Sequence, residues 1–95
     1  MIPDDIKIEL IEVIQEIQRD SGFQAIPLTG TTCPVTEVEG FESPLWLDAI
    51  GMLAERLGVR IPNGSNIFLS EDRQHRHTID EAVAVVCEIV QRGAS

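Results

Sequence analysis

The stretch that decides the fold is residues 40–58, "GFESPLWLDAIGMLAERLG". A serine followed by a proline is a common helix start, because serine can cap a free N–H and proline has none to leave unpaired. We predict a helix over residues 43–57, with Ser43 as N-cap, Pro44 as the first helical residue and Gly58 as the stop. The apolar residues that recur at helical spacing, and are expected in the core, are Leu47, Ile50, Leu53 and Leu57.

Two further helices are predicted on either side of this one. Residues 3–20 begin with a proline and two aspartates, which suit a first helical turn. Their apolar stripe is Ile6, Leu10, Val13, Ile14 and Ile17. Residues 78–92 begin with Thr78 and Glu81, which match the spacing of a capping box. Their inward-facing residues are expected to be Ile79, Ala82, Val83, Val86, Ile89 and Val90.

The segments between the helices are polar and rich in turn residues. Residues 21–42 contain two prolines and three glycines and predict a long loop, which in a small domain is usually functional or specialised. The apolar residues expected to hold this loop to the core are Phe23, Ile26, Leu28, Val35, Val38 and Phe41. Residues 63–77 predict a short helical turn or a loop. The expected fold is therefore a small all-α bundle forming a single domain over residues 1–95. It has three main helices, a long loop after the first, and a short helix or turn before the last.

The charge is strongly acidic and unevenly distributed. The net charge is −9, and all of it falls in residues 1–55, while residues 56–95 are neutral. Nucleic-acid binding needs a basic surface, and an anionic membrane repels such a chain. An acidic half instead suits steering toward basic partner surfaces, although the same charge also keeps a protein in solution. No signal peptide and no membrane-spanning stretch is visible, which predicts a cytoplasmic protein without membrane insertion.

The cysteines and histidines do not form a recognisable catalytic or metal-binding pattern. Cys33 and Cys87 are far apart and too few for a disulfide scaffold, so free or buried thiols are expected. His75 and His77 lie in "HRH", a spacing that matches no zinc site. We expect them to be solvated loop residues, and the small basic cluster that they form with Arg73 and Arg76 is open to pairing with the acidic half or contacting a partner.

With these elements in order, the chain resembles the acyl carrier protein family. "GFESP", Gly40 to Pro44, stands where that family has Gly-x-Asp-Ser-Leu at the start of its second helix. The apolar pattern of residues 47–57 agrees, Ile61 follows Ser43 by eighteen residues as is usual in the family, and "TIDEAVAVV" resembles its last helix. The resemblance covers nearly the whole chain. Glu42 and Pro44 replace the usual Asp and Leu, and the segment before the last helix is longer, which suggests a specialised member.

The resemblance implies a carrier rather than an enzyme. Ser43 would carry a 4′-phosphopantetheine arm, with Glu42 beside it, and acyl or related thioester intermediates would travel on that arm. The implied pathway is fatty acid biosynthesis or another specialised lipid or secondary-metabolite route. The implied partners are a phosphopantetheinyl transferase and acyl-loading or acyl-transferring enzymes with basic docking surfaces, and a monomer is usual for such domains.

Residues around Ser43 are candidates for binding those partners. The expected contact residues are Glu37, Glu39, Leu45, Trp46, Asp48 and Met52. Trp46 is open to two interpretations: it either contacts a partner or folds over the long loop to complete a small core. Gly51 lies inside the helix at a cost of ~1 kcal/mol relative to alanine, which indicates close packing or close approach of a partner.

Three interpretations remain open from the sequence, and the carrier with an arm on Ser43 is the first. In the second, Ser43 is an ordinary N-cap with no attached group, and the chain is an unmodified carrier-like adaptor. Such an adaptor would bind a partner through the helix that starts at Ser43, and Pro44 favours it. A small metal enzyme that uses the histidines and cysteines is the third and weakest alternative.

Overall fold

A computed structural model describes residues 2–24, 26–61, 66–70 and 74–93. It contains four helices in chain order, α1 Pro3–Asp20, α2 Pro34–Glu37, α3 Ser43–Leu57 and α4 Ile79–Gly93. Across these ranges there is no strand, only an isolated antiparallel bridge between Leu69 and Arg76. The predicted all-α bundle with three main helices is confirmed. The short helix α2 lies inside the long loop, and the described residues before α4 form a turn at 67–68 and the bridge.

Helix α1 packs against both α3 and α4. All five residues of its predicted stripe are buried, because their spacing of three and four places them on one face. The helix ends where Gly22 adopts φ 86°, a left-handed conformation that glycine enters without steric cost. Lys7 pairs with Asp80 of α4 at 3.2 Å, so α1 contacts its neighbour at the surface as well as in the core.

A second polar contact joins α1 to α3. The Arg56 guanidinium lies between three carboxylates of α1, those of Glu9 at 3.2 Å, Glu12 at 3.1 Å and Glu16 at 2.7 Å. Hydrogen bonds from the guanidinium, first to Glu9, raise the pKa of Arg56 above its ordinary value. Three acids of the strongly negative half are therefore occupied within the fold, and the charge that a partner could meet is smaller than the sequence suggests.

The start of α4 is capped from two directions. The predicted capping box is present: the Thr78 N–H donates to the Glu81 carboxylate at 2.9 Å, and the Glu81 N–H donates to the Thr78 hydroxyl at 3.2 Å. The long loop supplies two further acceptors. The Ile79 N–H donates to the Thr32 carbonyl at 2.8 Å and the Asp80 N–H to the Gly30 carbonyl at 2.9 Å. Part of the loop therefore serves as a cap for the last helix.

The apolar residues of the long loop follow the prediction with one exception. Val38 and Phe41 are buried, and Phe23, Leu28 and Val35 are half-buried. Ile26 was expected against the core, but it is exposed. The reason is that polar contacts anchor its backbone: the Ile26 N–H donates to the Gln18 side chain at 3.4 Å, and its carbonyl accepts from the Gln15 amide at 3.2 Å.

Candidate functional site

A tight turn leads from the long loop into Ser43. Gly40 has φ 75°, and a Cβ there would lie 2.4 Å from the ring of Phe23. The Phe41 N–H donates to the Val38 carbonyl at 3.2 Å, and the Glu42 N–H donates to the Gly40 carbonyl at 3.0 Å. Only glycine fits at this position, because any side chain would be strained by the left-handed backbone and would clash with the Phe23 ring. The chain thus enters α3 along a fixed path.

The helix begins one residue earlier than the N-cap assignment predicted. Ser43 is the first helical residue, so Glu42, with φ −102° and ψ 173°, holds the cap position instead. The Glu42 carbonyl accepts the N–H groups of Leu45 at 2.9 Å and Trp46 at 3.2 Å, and its side chain makes no capping hydrogen bond. The sequence did not fix the start because proline is tolerated throughout the first turn, where N–H groups lack helical partners.

The surroundings of Ser43 are open on both sides along the chain. Glu42 and Pro44, its two neighbours, are exposed, as are Glu39 and Gly40 in the preceding turn. The side chain of Ser43 itself lies outside the described part of the structure. Ser43 therefore stands at the head of a long helix, between two residues that contact solvent.

The buried face of α3 is rotated relative to the prediction. Ile50 and Leu53 are buried and Leu57 is half-buried, but Leu47, expected in the core, is 66% exposed. Trp46 takes its place: it is half-buried against the core, and its indole N–H donates to the Phe41 carbonyl at 2.9 Å. Residues 46, 50, 53 and 57 fit helical spacing as well as 47, 50, 53 and 57 do, so periodicity could not choose between the two.

One side of α3 forms a groove with the end of α1, which we call the acidic groove. Its volume is about 530 Å³ and it is open to solvent. The lining residues are Ile17, Asp20, Ser21, Leu45, Leu47, Asp48, Gly51, Met52 and Glu55. The lining combines apolar side chains with three carboxylates, Asp20 from α1 and Asp48 and Glu55 from α3. Apart from the adjacent α3 backbone, no atom of the described residues lies within 4 Å of a Cβ built at Gly51, so their packing does not explain that glycine.

The other side of α3 forms a second groove, which we call the arginine groove. Its volume is about 500 Å³. The lining residues are Val35, Phe41, Glu42, Pro44, Trp46, Leu69 and Arg76. Glu42 and Pro44 are the neighbours of Ser43, so this groove begins at the candidate attachment point. The sequence placed Arg76 in a solvated loop and gave no signal that it would face α3.

The predicted partner residues are divided by α3 rather than gathered on one surface. Leu45, Asp48 and Met52 line the acidic groove, whereas Trp46 lines the arginine groove. Glu39 is exposed in the turn. Glu37 has a local structural contact, because its carboxylate accepts the Cys33 N–H at 2.5 Å across α2. The contributions of Asp20, Leu47 and Glu55 to the acidic groove were missed, because they depend on how α1 and α3 pack.

The histidines and cysteines have separate surroundings. His75 Nε2 lies 3.0 Å from the Glu81 carboxylate, and His77 Nδ1 lies 3.0 Å from the Ile67 carbonyl. Within the described ranges, no group of three or more metal-binding side chains is close enough to hold a metal ion. Arg73, expected near the histidines, lies outside those ranges. Both cysteines are free and half-buried. Hydrogen bonds from Thr78 first, and then from His75, lower the pKa of the Glu81 carboxyl below its usual range.

No helix in the described part of the chain is both long and apolar enough to cross a membrane. Comparison with known proteins identifies no relative: no family model, no curated protein and no solved structure matches the chain. The resemblance noted in the sequence therefore depends on the quoted residues alone, and the site must be interpreted from its own geometry.

Proposed function

We propose that this chain is a carrier that holds acyl or related intermediates on a 4′-phosphopantetheine arm attached to Ser43. The observation that carries the proposal is the position of Ser43 as the first residue of α3, between the exposed Glu42 and Pro44. Gly40 permits the tight turn before Ser43, because it adopts a left-handed conformation against the ring of Phe23. A modifying enzyme needs a segment it can reach and a backbone that holds its shape, and this turn offers both.

Attachment requires little chemistry from the chain itself. A transferase would remove the Ser43 proton, and the hydroxyl oxygen would attack the phosphorus of coenzyme A that carries the pantetheine. The phosphoanhydride bond would break, adenosine bisphosphate would leave, and a phosphodiester would join Ser43 to the arm. Once attached, the arm supplies a terminal thiol that can hold an acyl group as a thioester.

The start of α3 favours the negative charge of that phosphodiester. The positive end of the helix dipole lies at Ser43, and negative groups are stabilised there. Direct N–H contacts are fewer than at most helix starts, because Pro44 has no N–H and those of Leu45 and Trp46 already donate to Glu42. The helix dipole therefore contributes through its field more than through hydrogen bonds from these three residues.

The acidic groove is the surface that we propose for the partner enzymes. Asp20, Asp48 and Glu55 would meet basic side chains, and the exposed Leu47 would supply an apolar contact between them. Gly51 supports this use, since a glycine inside an exposed helix destabilises that helix and no described residue packs closely enough to require it. A partner that approaches the α3 backbone closely would require it.

The test is the intact mass of the purified protein after incubation with coenzyme A and a broad-specificity phosphopantetheinyl transferase. We expect the mass to rise by one phosphopantetheinyl group. Ser43→Ala should show no gain, whereas Thr31→Ala, which removes an exposed hydroxyl that lines neither groove, should be modified normally. Absence of a gain with several transferases contradicts the proposal, and a gain that persists in Ser43→Ala moves the attachment site elsewhere.

A second candidate function is an unmodified adaptor that binds one partner protein. The specific observation in its favour is that the acidic groove combines the exposed Leu47 with carboxylates of α1 and α3, which offers a basic partner a contact surface without any attached group. A partner that binds Ser43→Ala as tightly as the unmodified wild type, but loses affinity for Leu47→Ala, would favour the adaptor when no mass gain occurs.

A further inference from the structure

We propose that Arg76 contacts the phosphodiester of a group attached at Ser43, so that the first part of the arm lies in the arginine groove. This inference rests on the proposed function. It adds a positioning residue, Arg76, that is thirty-three positions away in sequence. Arg76 shares the groove with Glu42 and Pro44, which flank the attachment point on both sides.

The backbone holds Arg76 in place. Arg76 pairs with Leu69 in the antiparallel bridge. On one side of this pair the Ser70 N–H donates to the His75 carbonyl, and on the other the His77 N–H donates to the Phe68 carbonyl, both at 2.9 Å. Two such hydrogen bonds fix the Cα of the residue between them and the direction of its Cα–Cβ bond. The backbone of Arg76 is therefore held in place although it lies outside the helices, and its side chain lines the groove.

The two walls of the groove are tied together beneath its surface. Phe68, fully buried next to the bridge, meets Phe41 edge to face, with ring centroids 5.2 Å apart and an interplanar angle of 86°. The Phe41 carbonyl in turn accepts the indole N–H of Trp46, which forms part of the α3 wall. The bridge segment and the start of α3 are thus joined through Phe68, Phe41 and Trp46, and these contacts hold the two walls of the groove before any group is attached.

Charge decides which of the two grooves the arm would enter. The volumes, about 500 and 530 Å³, are too similar to discriminate. Three carboxylates line the acidic groove and would repel a phosphodiester, whereas the arginine groove has one carboxylate, Glu42, and one guanidinium. No carboxylate of the described residues forms an ion pair with Arg76, and a guanidinium matches the geometry of phosphate oxygens.

The experiment compares the apo protein with the protein modified at Ser43, using amide and indole proton–nitrogen correlation spectra and phosphorus NMR. Intact mass first establishes that the arm is attached. We expect modification to shift the Trp46 indole signal and the Leu69 amide signal, and to shift the Arg76 Nε–H signal. In modified Arg76→Gln the Trp46 and Leu69 shifts should fall to less than about half. In the modified wild type the phosphorus chemical shift should depend on salt, because salt screens the charge-assisted contact. In Arg76→Gln that contact is absent, so the salt dependence should be lost.

Two variants keep this result interpretable. Arg60→Gln removes another exposed arginine that does not line the groove, and it should leave the shifts as in the wild type. Arg76→Lys keeps the charge and should retain part of them. Modification without shifts at Trp46 and Leu69, or equal shifts in wild type and Arg76→Gln, overturns the inference while leaving the carrier function intact. A protein that gains no mass overturns both.

Discussion

The two grooves beside α3 have nearly the same volume but different charge: three carboxylates line the acidic groove, whereas a carboxylate and a guanidinium line the arginine groove. The acidic groove combines the exposed Leu47 with carboxylates from two helices, and the arginine groove combines Trp46 with a guanidinium from the loop before α4. One helix therefore separates a surface suited to basic proteins from a surface suited to an anionic group. The difference arises from tertiary packing, since the residues of each groove come from segments distant in sequence.

The orientation of α3 also explains why Leu47 is exposed while its neighbour Trp46 is half-buried. Trp46 closes the inner wall of the arginine groove through its hydrogen bond to Phe41, and this orientation turns Leu47 toward solvent in the acidic groove. A single rotation of the helix thus fixes the contents of both sides.

Replacing Gly40 should damage both grooves, because the turn it forms sets the entry into α3. Gly40→Ala forces a left-handed alanine and brings a Cβ to 2.4 Å from Phe23. We expect the free energy of unfolding to fall by about 2–4 kcal/mol, measured by urea unfolding followed through Trp46 fluorescence.

Gly22→Ala is the matched control, since Gly22 has φ 86° but open space around it. It should cost only the backbone term of about 1–2 kcal/mol. Equal losses for the two variants would mean that the Phe23 contact contributes nothing to the turn.

Substitutions at adjacent positions of α3 should separate its two sides. Trp46→Phe removes the hydrogen bond to the Phe41 carbonyl and some buried surface, and should lower the free energy of unfolding by about 1–2 kcal/mol in urea titrations followed by circular dichroism. Leu47→Ala should change it by less than about 0.5 kcal/mol, because Leu47 is already exposed. A large loss for Leu47→Ala would place that side chain in the core after all.

Changes at Gly51 should separate stability from docking on the acidic side. Gly51→Ala should raise the free energy of unfolding by about 1 kcal/mol, because alanine favours the helix and meets no neighbour within 4 Å. Gly51→Gln should fold equally well but reduce the kcat/KM of the transferase several-fold, since the longer side chain fills the groove.

Ala84→Gln is the control for this docking effect. It makes a similar enlargement at an exposed helical position on α4, away from both grooves. If the kcat/KM falls equally for Gly51→Gln and Ala84→Gln, the acidic groove is not where the transferase docks.

The smallest expected effect concerns the capping box at the start of α4 and depends on pH. The pKa of Glu81 is lowered in the folded chain, mainly by the Thr78 N–H, so its carboxylate stabilises the fold at neutral pH. That contribution is lost as the pH falls below the usual glutamate range of about 4 and through the lower folded pKa. Glu81→Gln should therefore be less stable than wild type at pH 7, with the difference shrinking toward pH 3 in urea titrations. A difference that is constant over this range would assign the effect to something other than the carboxylate.

Much of the fold was predictable because its signals are local. The α1 stripe, the glycine stop at Gly58 and the Thr78–Glu81 capping box depend on residues within a few positions of one another, and the structure contains all three. The exposure of Ile26 was not predictable. Its apolar side chain predicts burial, whereas hydrogen bonds between its backbone and side chains of α1 hold it at the surface.

The candidate site divides along the same line. The sequence alone determined that a serine stands between Glu42 and Pro44 at the head of a long helix, because capping chemistry and helical periodicity act between near neighbours. Tertiary packing instead set the rotation of that helix, the exposure of Leu47, and the presence of Arg76 and Glu42 in one groove. These depend on how distant side chains pack around Phe41 and Phe68, and neither periodicity nor charge along the chain carries that information.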